Sequence, residues 1–108
     1  MARAVTPDLS IVIPIYNEEP NIEALHAELS GALAGGARSY ELIFVDDGSQ
    51  DRSFDRLAAI QAQDPSVRVI QFRRNFGQTA AFAAGFAHAR GRVIVTSDGD
   101  LQNDPRDI

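Results

Sequence analysis

Four apolar runs, each bounded by turn-forming residues, organise the chain. They are Leu9–Ile15, Tyr40–Val45, Val67–Phe72 and Val93–Thr96. Nearly continuous apolar runs of this length are typical of strands buried on both faces, as in a parallel sheet. Pro14 has no N–H for a ladder, so we expect it where the pairing of the first strand ends.

Helical patterns alternate with these runs. The first helix is predicted from an apolar stripe of residues three and four apart, Ile22, Leu25, Leu29 and Leu33. Asn17 is a candidate cap for this helix, and Gly35-Gly36 ends it. A second helix follows Asp51 or Ser49 as its cap and ends at Asp64-Pro65.

The third helix is predicted over Gln78–Ala89, where small and apolar residues occur on every side. This pattern favours a helix packed closely on both sides, with an especially close contact at Gly85. Alternating strands and helices predict an α/β fold, with three α/β/α layers and a mostly parallel sheet. The length favours one domain over residues 1–108.

A polar cluster follows every predicted strand. The clusters are Tyr16-Asn17-Glu18, Asp46-Asp47, Arg73-Arg74-Asn75 and Asp98-Gly99-Asp100. The carboxyl ends of parallel strands lie at one edge of a sheet, and ligands bind there at the switch in strand order. We therefore expect these clusters to form one site.

Asp98 and Asp100 form the cluster with the clearest chemistry. Two carboxylates about 4 Å apart repel each other by about 1 kcal/mol in water and by more near a protein surface. Mg²⁺ is commonly held by one or two carboxylates together with substrate phosphates. A turn rich in Asp and Gly is the alternative, since this pattern is also frequent by chance.

Each remaining cluster has a structural interpretation beside the functional one. Asp46 is a candidate base or ribose contact, whereas Asp47 or Ser49 is expected to form a turn or helix cap. Capping of the first helix accounts for either Asn17 or Glu18 but not for both. Tyr16 either stacks on a base or is a partly buried residue with an ordinary packing role. Arg73 and Arg74 either bind phosphate or remain solvated. His26 and His88 are interpreted as structural.

Composition narrows the function classes. A formal net charge of −5 disfavours nucleic-acid binding, and the absence of cysteine excludes disulfides and thiolate metal sites. No apolar run approaches the ~20 residues of a membrane span, and we expect no signal peptide at residues 1–8. Dinucleotide binding is disfavoured because no Gly-x-Gly-x-x-Gly follows the first strand.

Four motifs in order carry a family resemblance. They are Ser10–Glu19, Ile43–Ser49, Arg74–Gln78 and Asp98–Gln102, and they resemble family 2 glycosyltransferases with a GT-A fold. The Arg74–Gln78 run and the Asp-Leu-Gln-Asn stretch resemble the polyprenyl-phosphate branch, which includes dolichol-phosphate mannose synthases. The resemblance implies strand order 3-2-1-4. It covers only the nucleotide-binding half of such an enzyme.

The resemblance also implies roles for individual residues. Asp98 and Asp100 would hold Mg²⁺ or Mn²⁺ against a UDP- or GDP-sugar, with Gln102, Arg73 and Arg74 near the phosphates or donor sugar. The nucleotide would contact Pro14, Tyr16, Asn17, Glu18, Asp46 and Asp98. Gly99 stands where the branch usually has Ala, and Asp104 adds a carboxylate that we interpret as a helix cap.

The implied reaction is inverting transfer of a sugar to a lipid phosphate in the cytoplasm, at the inner face of a membrane. Any acceptor-side base would lie beyond Ile108, so no catalytic residue is expected here and the chain alone is expected to be inactive. An uncovered fourth strand predicts self-association. The alternatives are a non-catalytic nucleotide-binding or regulatory module, or a phosphotransfer enzyme of the haloacid dehalogenase type.

Overall fold

Strands and helices alternate along the whole of the computed structural model, which describes residues 6–36 and 38–97. In chain order the elements are β1 (Leu9–Ile15), a short 3₁₀ helix (Glu19–Asn21), α1 (Ile22–Ala34), β2 (Tyr40–Asp46), α2 (Ser53–Gln63), β3 (Val67–Gln71), α3 (Gln78–His88) and β4 (Val93–Thr96). Each predicted strand and helix is therefore present, with ends that differ by a few residues at most.

The four strands form one parallel sheet in the order β3-β2-β1-β4. This topology confirms the expected α/β fold and strand order. Pro14 was expected where the pairing of β1 ends, and this is confirmed only on the side of β1 that faces β4. The pairing of β1 with β4 ends at Val12, whereas its pairing with β2 continues to Ile15.

Both faces of the two central strands are buried, which explains their continuous apolar sequences. One face packs against α1 and α2 through a cluster that includes Ile11, Ile13, Leu29, Phe44 and Leu57. The other face packs against α3 through Val12, Ile43, Val45 and Ala81. Burying a large aliphatic or aromatic side chain stabilises the folded state by about 1.5–3 kcal/mol. These two layers of side chains therefore fix the helices on the two faces of the sheet.

The expectation that α3 packs closely on both sides is wrong for the residues that the structure describes. Only Ala81 and Gly85 of α3 are buried, and Phe86 is 45% exposed. The small residues serve a close approach on one side instead. A Cβ at Gly85 would lie 2.2 Å from Val12 Cγ1, so the predicted close contact at this glycine is confirmed.

A buried polar network joins the segment that follows α3 to the amino ends of β1 and β2. Glu41 is 3% exposed and accepts hydrogen bonds from Ser10 Oγ at 2.6 Å, Arg68 Nη1 at 3.1 Å and Arg90 N at 2.8 Å. Burial alone would raise the pKa of Glu41, but these hydrogen bonds outweigh it and lower the pKa below its usual value. The network is therefore ionised near neutral pH.

The histidines have structural contacts, as expected. His26 Nε2 lies 2.8 Å from Asp64 Oδ2 and thereby joins α1 to the end of α2, while His88 Nδ1 lies 3.0 Å from Ala84 O. Burial tends to raise the pKa of Asp64, but hydrogen bonds from Ser66 and His26 lower it overall. Among the described residues, no helix is long and apolar enough to cross a membrane.

Candidate functional site at the carboxyl edge of the sheet

Three loops leave the sheet side by side at its carboxyl edge. They follow β1, β2 and β3, and the register aligns their starting points, because Ile15 pairs with Asp46 and Asp46 pairs with Gln71. On the other side of β1, β4 pairs up to Thr96. The chain that follows β4 therefore starts beside Val12, in the second half of β1, and Ser97 N donates to Val12 O at 3.0 Å.

Asn17 joins the loop after β1 to the loop after β2. Its backbone has φ of 54°, and its N–H donates to Ser49 Oγ at 2.9 Å. Its side-chain Oδ1 accepts from the N–H groups of Gln50, at 2.8 Å, and Asp51, at 3.3 Å. The expectation that Asn17 caps the first helix is therefore wrong, because its side chain binds the neighbouring loop instead.

Further hydrogen bonds join the same two loops. Glu18 N donates to Ser53 Oγ at 2.9 Å, and Glu19 N donates to Asp51 Oδ2 at 3.1 Å. Asp51 Oδ1 also accepts from Ser53 N at 2.9 Å, but Arg52 occupies the N-cap position of α2, so the expectation that Asp51 or Ser49 caps this helix is wrong. Burial tends to raise the pKa of Asp51, but the hydrogen bonds from Ser53 and Glu19 lower it overall.

The remaining groups of the first cluster are placed differently. Tyr16 is 43% exposed, so its ring is accessible for stacking rather than packed in the core. Glu18 Oε1 accepts from Asn21 Nδ2 at 2.9 Å at the start of the 3₁₀ helix. Glu18 is therefore partly engaged locally, whereas Tyr16 presents its ring to solvent at the carboxyl edge.

Asp46 and Asp47 are adjacent in sequence but serve different loops. Asp46 is 1% exposed and accepts from Ser49 N at 3.1 Å, within its own loop. Asp47 is 4% exposed and accepts from Phe76 N at 2.8 Å and Gly77 N at 3.0 Å. The expectation that Asp47 caps the helix that follows it is therefore wrong, because Asp47 binds the loop before α3 instead.

That loop presents a guanidinium and an aromatic ring to solvent. Arg74 Cζ lies 4.7 Å from the centroid of the Phe76 ring, which is 53% exposed, and Arg73 is exposed as well. The Phe76 ring meets Phe72 edge-on at 5.6 Å. Cation–π contact and edge-to-face packing together order the exposed end of this loop.

The predicted metal ligands Asp98 and Asp100, together with Gln102 and Asp104, lie outside the described residues. Within residues 6–36 and 38–97, no group of three His, Cys, Asp or Glu side chains is arranged to hold a metal ion. A cavity of about 290 Å³ is lined by residues of α1 and α2 and of the segments that precede them, Glu19 and Arg52. It is lined mainly by ion-paired side chains such as Arg56 and Glu23, so we assign no ligand to it.

Sequence reasoning missed Asp47, Asp51 and Ser53 as residues that order the site. Each binds backbone N–H groups about 30 residues away in sequence, and no local pattern reports such a pairing. The only available signal was that the polar clusters follow neighbouring strands. That signal predicts proximity but not which side chain binds which loop.

The chain is an α/β protein with a polar carboxyl edge, and its strand order switches between β1 and β4, which is where ligands bind in open sheets of this class. The model of the family described as Glycosyl transferase family 2 matches residues 10–108. The chain belongs to this family.

Two curated relatives show how the similarity is distributed. The chain is 45% identical over 102 residues to a dodecaprenyl-phosphate galacturonate synthase of Rhizobium johnstonii, covering 94% of the chain. It is 44% identical over 101 residues to an undecaprenyl-phosphate 4-deoxy-4-formamido-L-arabinose transferase of Pseudomonas aeruginosa, covering 93% of the chain. In both cases the chain spans 30% of the relative's length.

Solved structures share the fold. A mannosyltransferase from Pyrobaculum calidifontis in complex with GDP-Man and Mn²⁺ has a TM-score of 0.79 at 23% identity, covering 95% of this chain and 30% of that one. TarS of S. aureus in complex with UDP has a TM-score of 0.69 at 25% identity, covering 86% of this chain and 27% of that one. The four-stranded arrangement is thus found in structures that hold nucleotides.

Proposed function

We propose that this chain is the donor-binding part of a glycosyltransferase that transfers a sugar from a nucleoside diphosphate to a polyprenyl phosphate. One observation carries the proposal. β4 pairs with β1 up to Thr96, two residues before Asp98 in the sequence, and β1 leads into the loop that carries Tyr16 and Glu18. The named activities of the polyprenyl-phosphate relatives supply the acceptor class.

In this proposal Asp98 and Asp100 hold a divalent cation. Mn²⁺ accompanies GDP-Man in the mannosyltransferase of the same fold, and Mg²⁺ also suits carboxylate and phosphate oxygens. When bound, the metal would offset the charge that develops on the departing nucleoside diphosphate. Gln102, Arg73 and Arg74 would lie near the phosphates or donor sugar.

The nucleotide would lie across the carboxyl edge. The residues proposed to contact it are Pro14, Tyr16, Asn17, Glu18, Asp46 and Asp98. Of these, Tyr16 is exposed enough to stack on a base, and Asp46 has its position fixed by Ser49. Asn17 Oδ1 already accepts two backbone N–H groups, so its amide nitrogen is the group we propose for the ligand.

The acceptor would be a lipid phosphate whose anionic oxygen attacks the anomeric carbon with inversion. Such an oxygen needs little help from a general base. We propose that residues 1–108 bind nucleotide without catalysing transfer on their own. The complete enzyme would work at the inner, cytoplasmic face of a membrane.

Calorimetric titration tests the proposal. The protein is titrated with UDP, GDP and UDP-sugars, in Mn²⁺ and again in EDTA. We expect binding that weakens in EDTA and in the Asp98→Asn/Asp100→Asn double variant. Asp104→Asn, which removes a nearby carboxylate outside the proposed pair, is the matched control and should leave affinity unchanged. Equal affinity with and without metal would overturn the metal role.

A further inference from the structure

We propose that Asp47 is a positioning residue, which fixes the arginine-bearing loop beside the proposed nucleotide site. The inference rests on the proposed function. Asp46 is the last residue of β2, and Asp47 is the first residue after that strand. Asp46 shares the face of Phe44, next to α1 and α2, and Asp47 binds the loop before α3.

The loop donates hydrogen bonds to nearly every acceptor that Asp47 offers. Phe76 N donates to Oδ1 at 2.8 Å, and Gly77 N donates to Oδ2 at 3.0 Å. Asn75 Nδ2 reaches both Asp47 Oδ2, at 3.0 Å, and the Asp47 carbonyl oxygen, at 3.1 Å. Three consecutive residues of one loop are therefore held by a single residue at the end of the neighbouring strand.

The burial of the Asp47 side chain makes this arrangement hard to disrupt. Its side chain is 4% exposed, and it forms no ion pair among the described residues. A buried polar group costs free energy unless it is hydrogen-bonded, and the donors here are the N–H groups of the loop. Moving the loop away would leave the buried Asp47 carboxyl group without these donors, so its burial favours one loop position.

Gly48 allows the loop to approach this closely. Its φ is 71°, and a Cβ built there would lie 2.1 Å from Arg74 C and 2.4 Å from Asn75 N. The loop backbone therefore crosses directly over Gly48, in space that no other residue type leaves open. Asp47 and Gly48 act together: one supplies the acceptors and the other supplies the room.

The loop held in this way carries the two arginines proposed for the phosphates or donor sugar. Arg74 lies over Phe76, whose N–H is bound by Asp47, so the position of the guanidinium depends on the Asp47 carboxylate. Misplacing a group in an active site by about 1 Å can lower the reaction rate by about 10²-fold. We therefore expect Asp47→Asn to weaken nucleotide affinity by roughly tenfold or more.

The experiment is a double-mutant cycle on nucleotide affinity. The protein is titrated with GDP and UDP in Mn²⁺ as the wild type, Asp47→Asn, Arg73→Ala/Arg74→Ala and the combined variant. A residue that acts through the arginines loses its effect once they are gone, so Asp47→Asn should change affinity little in the double-alanine background. An equal loss in both backgrounds, or no loss in either, would overturn the proposal.

Amide hydrogen exchange gives a readout that needs no ligand. We expect faster exchange at Phe76 and Gly77 in Asp47→Asn, with unchanged exchange at β2 amides such as that of Leu42. Asp55→Asn, an exposed carboxylate on α2, is the matched control. If Asp47→Asn does not fold, Asn75→Ala removes only the side-chain donor and tests the same loop. Protected Phe76 and Gly77 amides in these variants would contradict the positioning role.

The two measurements separate failure of the inference from failure of the proposed function. A wild-type protein that binds no nucleotide would overturn the proposed function and, with it, the effect of Asp47 on affinity. A wild-type protein that binds nucleotide, together with an Asp47→Asn variant of equal affinity, would overturn the inference alone.

Discussion

Gly85 of α3 lies against Val12 of β1 so closely that a Cβ on Gly85 would be 2.2 Å from Val12 Cγ1 and 3.0 Å from Cγ2. Real Cβ atoms do not approach other carbon atoms at 2.2 Å, so the glycine sets the distance between the helix and the sheet. Since Val12 is fully buried, its side chain has little freedom to move away.

We therefore expect Gly85→Ala to destabilise the protein despite the better helix propensity of alanine. Overpacking costs about 1–3 kcal/mol, and the propensity gain returns up to about 1 kcal/mol. Val12→Ala empties the same space, so the double variant should be more stable than the sum of the two single effects predicts. Urea unfolding of all four proteins measures the coupling, and additive losses would show that the contact is not limiting.

Asn17 provides a second test, because its backbone and its side chain can be separated. Asn17→Gly keeps access to a φ of 54° and loses only the hydrogen bonds to Gln50 and Asp51. Asn17→Ala loses both, and a left-handed backbone costs a residue with a Cβ about 1–2 kcal/mol. We expect the alanine variant to have the lower unfolding free energy of the two. The reverse order would show that Asn17 is not held in this conformation.

Acid should weaken the fold through its hydrogen-bonded carboxylates. The pKa values of Glu41, Asp51 and Asp64 are all lowered in the folded protein, relative to ordinary values of 4.5, 3.8 and 3.8. Their contribution is therefore complete above pH 4.5 and is lost as the pH falls through the lower, folded-state pKa values. Thermal unfolding between neutral pH and pH 3 should show a falling melting temperature.

Glu41→Gln should reduce this acid dependence. It also removes the charged acceptor of Ser10, Arg68 and Arg90, at a cost of about 1–3 kcal/mol near neutral pH. Glu28→Gln, on the exposed surface of α1, is the matched control and should change neither quantity. An unchanged acid slope in Glu41→Gln would show that other carboxylates carry the effect.

We expect the protein to self-associate through the exposed edge strand β4. It pairs with β1 alone among the described residues, and Val93 and Ile94 are 47% and 43% exposed. Exposed apolar edge strands pair with other chains, and an added charge on such an edge opposes that pairing. We expect concentration-dependent sedimentation that Ile94→Lys suppresses. Gln71→Lys, on the opposite edge strand, is the control, and a strictly monomeric wild type would contradict the prediction.

The backbone plan could be predicted because its signals are local. Continuous apolar runs identify strands such as β1 and β2, and the stripe from Ile22 to Leu33 identifies α1. The strand order came from the family resemblance rather than from the runs themselves. The placement of Pro14 followed from its missing N–H, and the structure differs only in continuing the pairing with β2.

What could not be predicted depends on contacts between distant residues. The apolar composition of α3 suggested burial on all sides, but alanine and glycine suit close approach on one side as well as full burial, and Phe86 is exposed. Asn17 and Asp47 are good local caps by type, so local rules assigned them to their own helices. Their actual partners are 28 to 34 residues away in sequence, at positions that only the sheet register brings together.

The segment from Asp46 to Ser53 binds both neighbouring loops, one through Ser49, Asp51 and Ser53 and the other through Asp47. It is therefore the common partner of the loop that follows β1 and the loop that precedes α3. A chimera that exchanges only one of these three segments between homologous enzymes would mismatch the hydrogen bonds of the others. Recombination between family members should accordingly preserve residues 16–19, 46–53 and 73–77 as one inherited block.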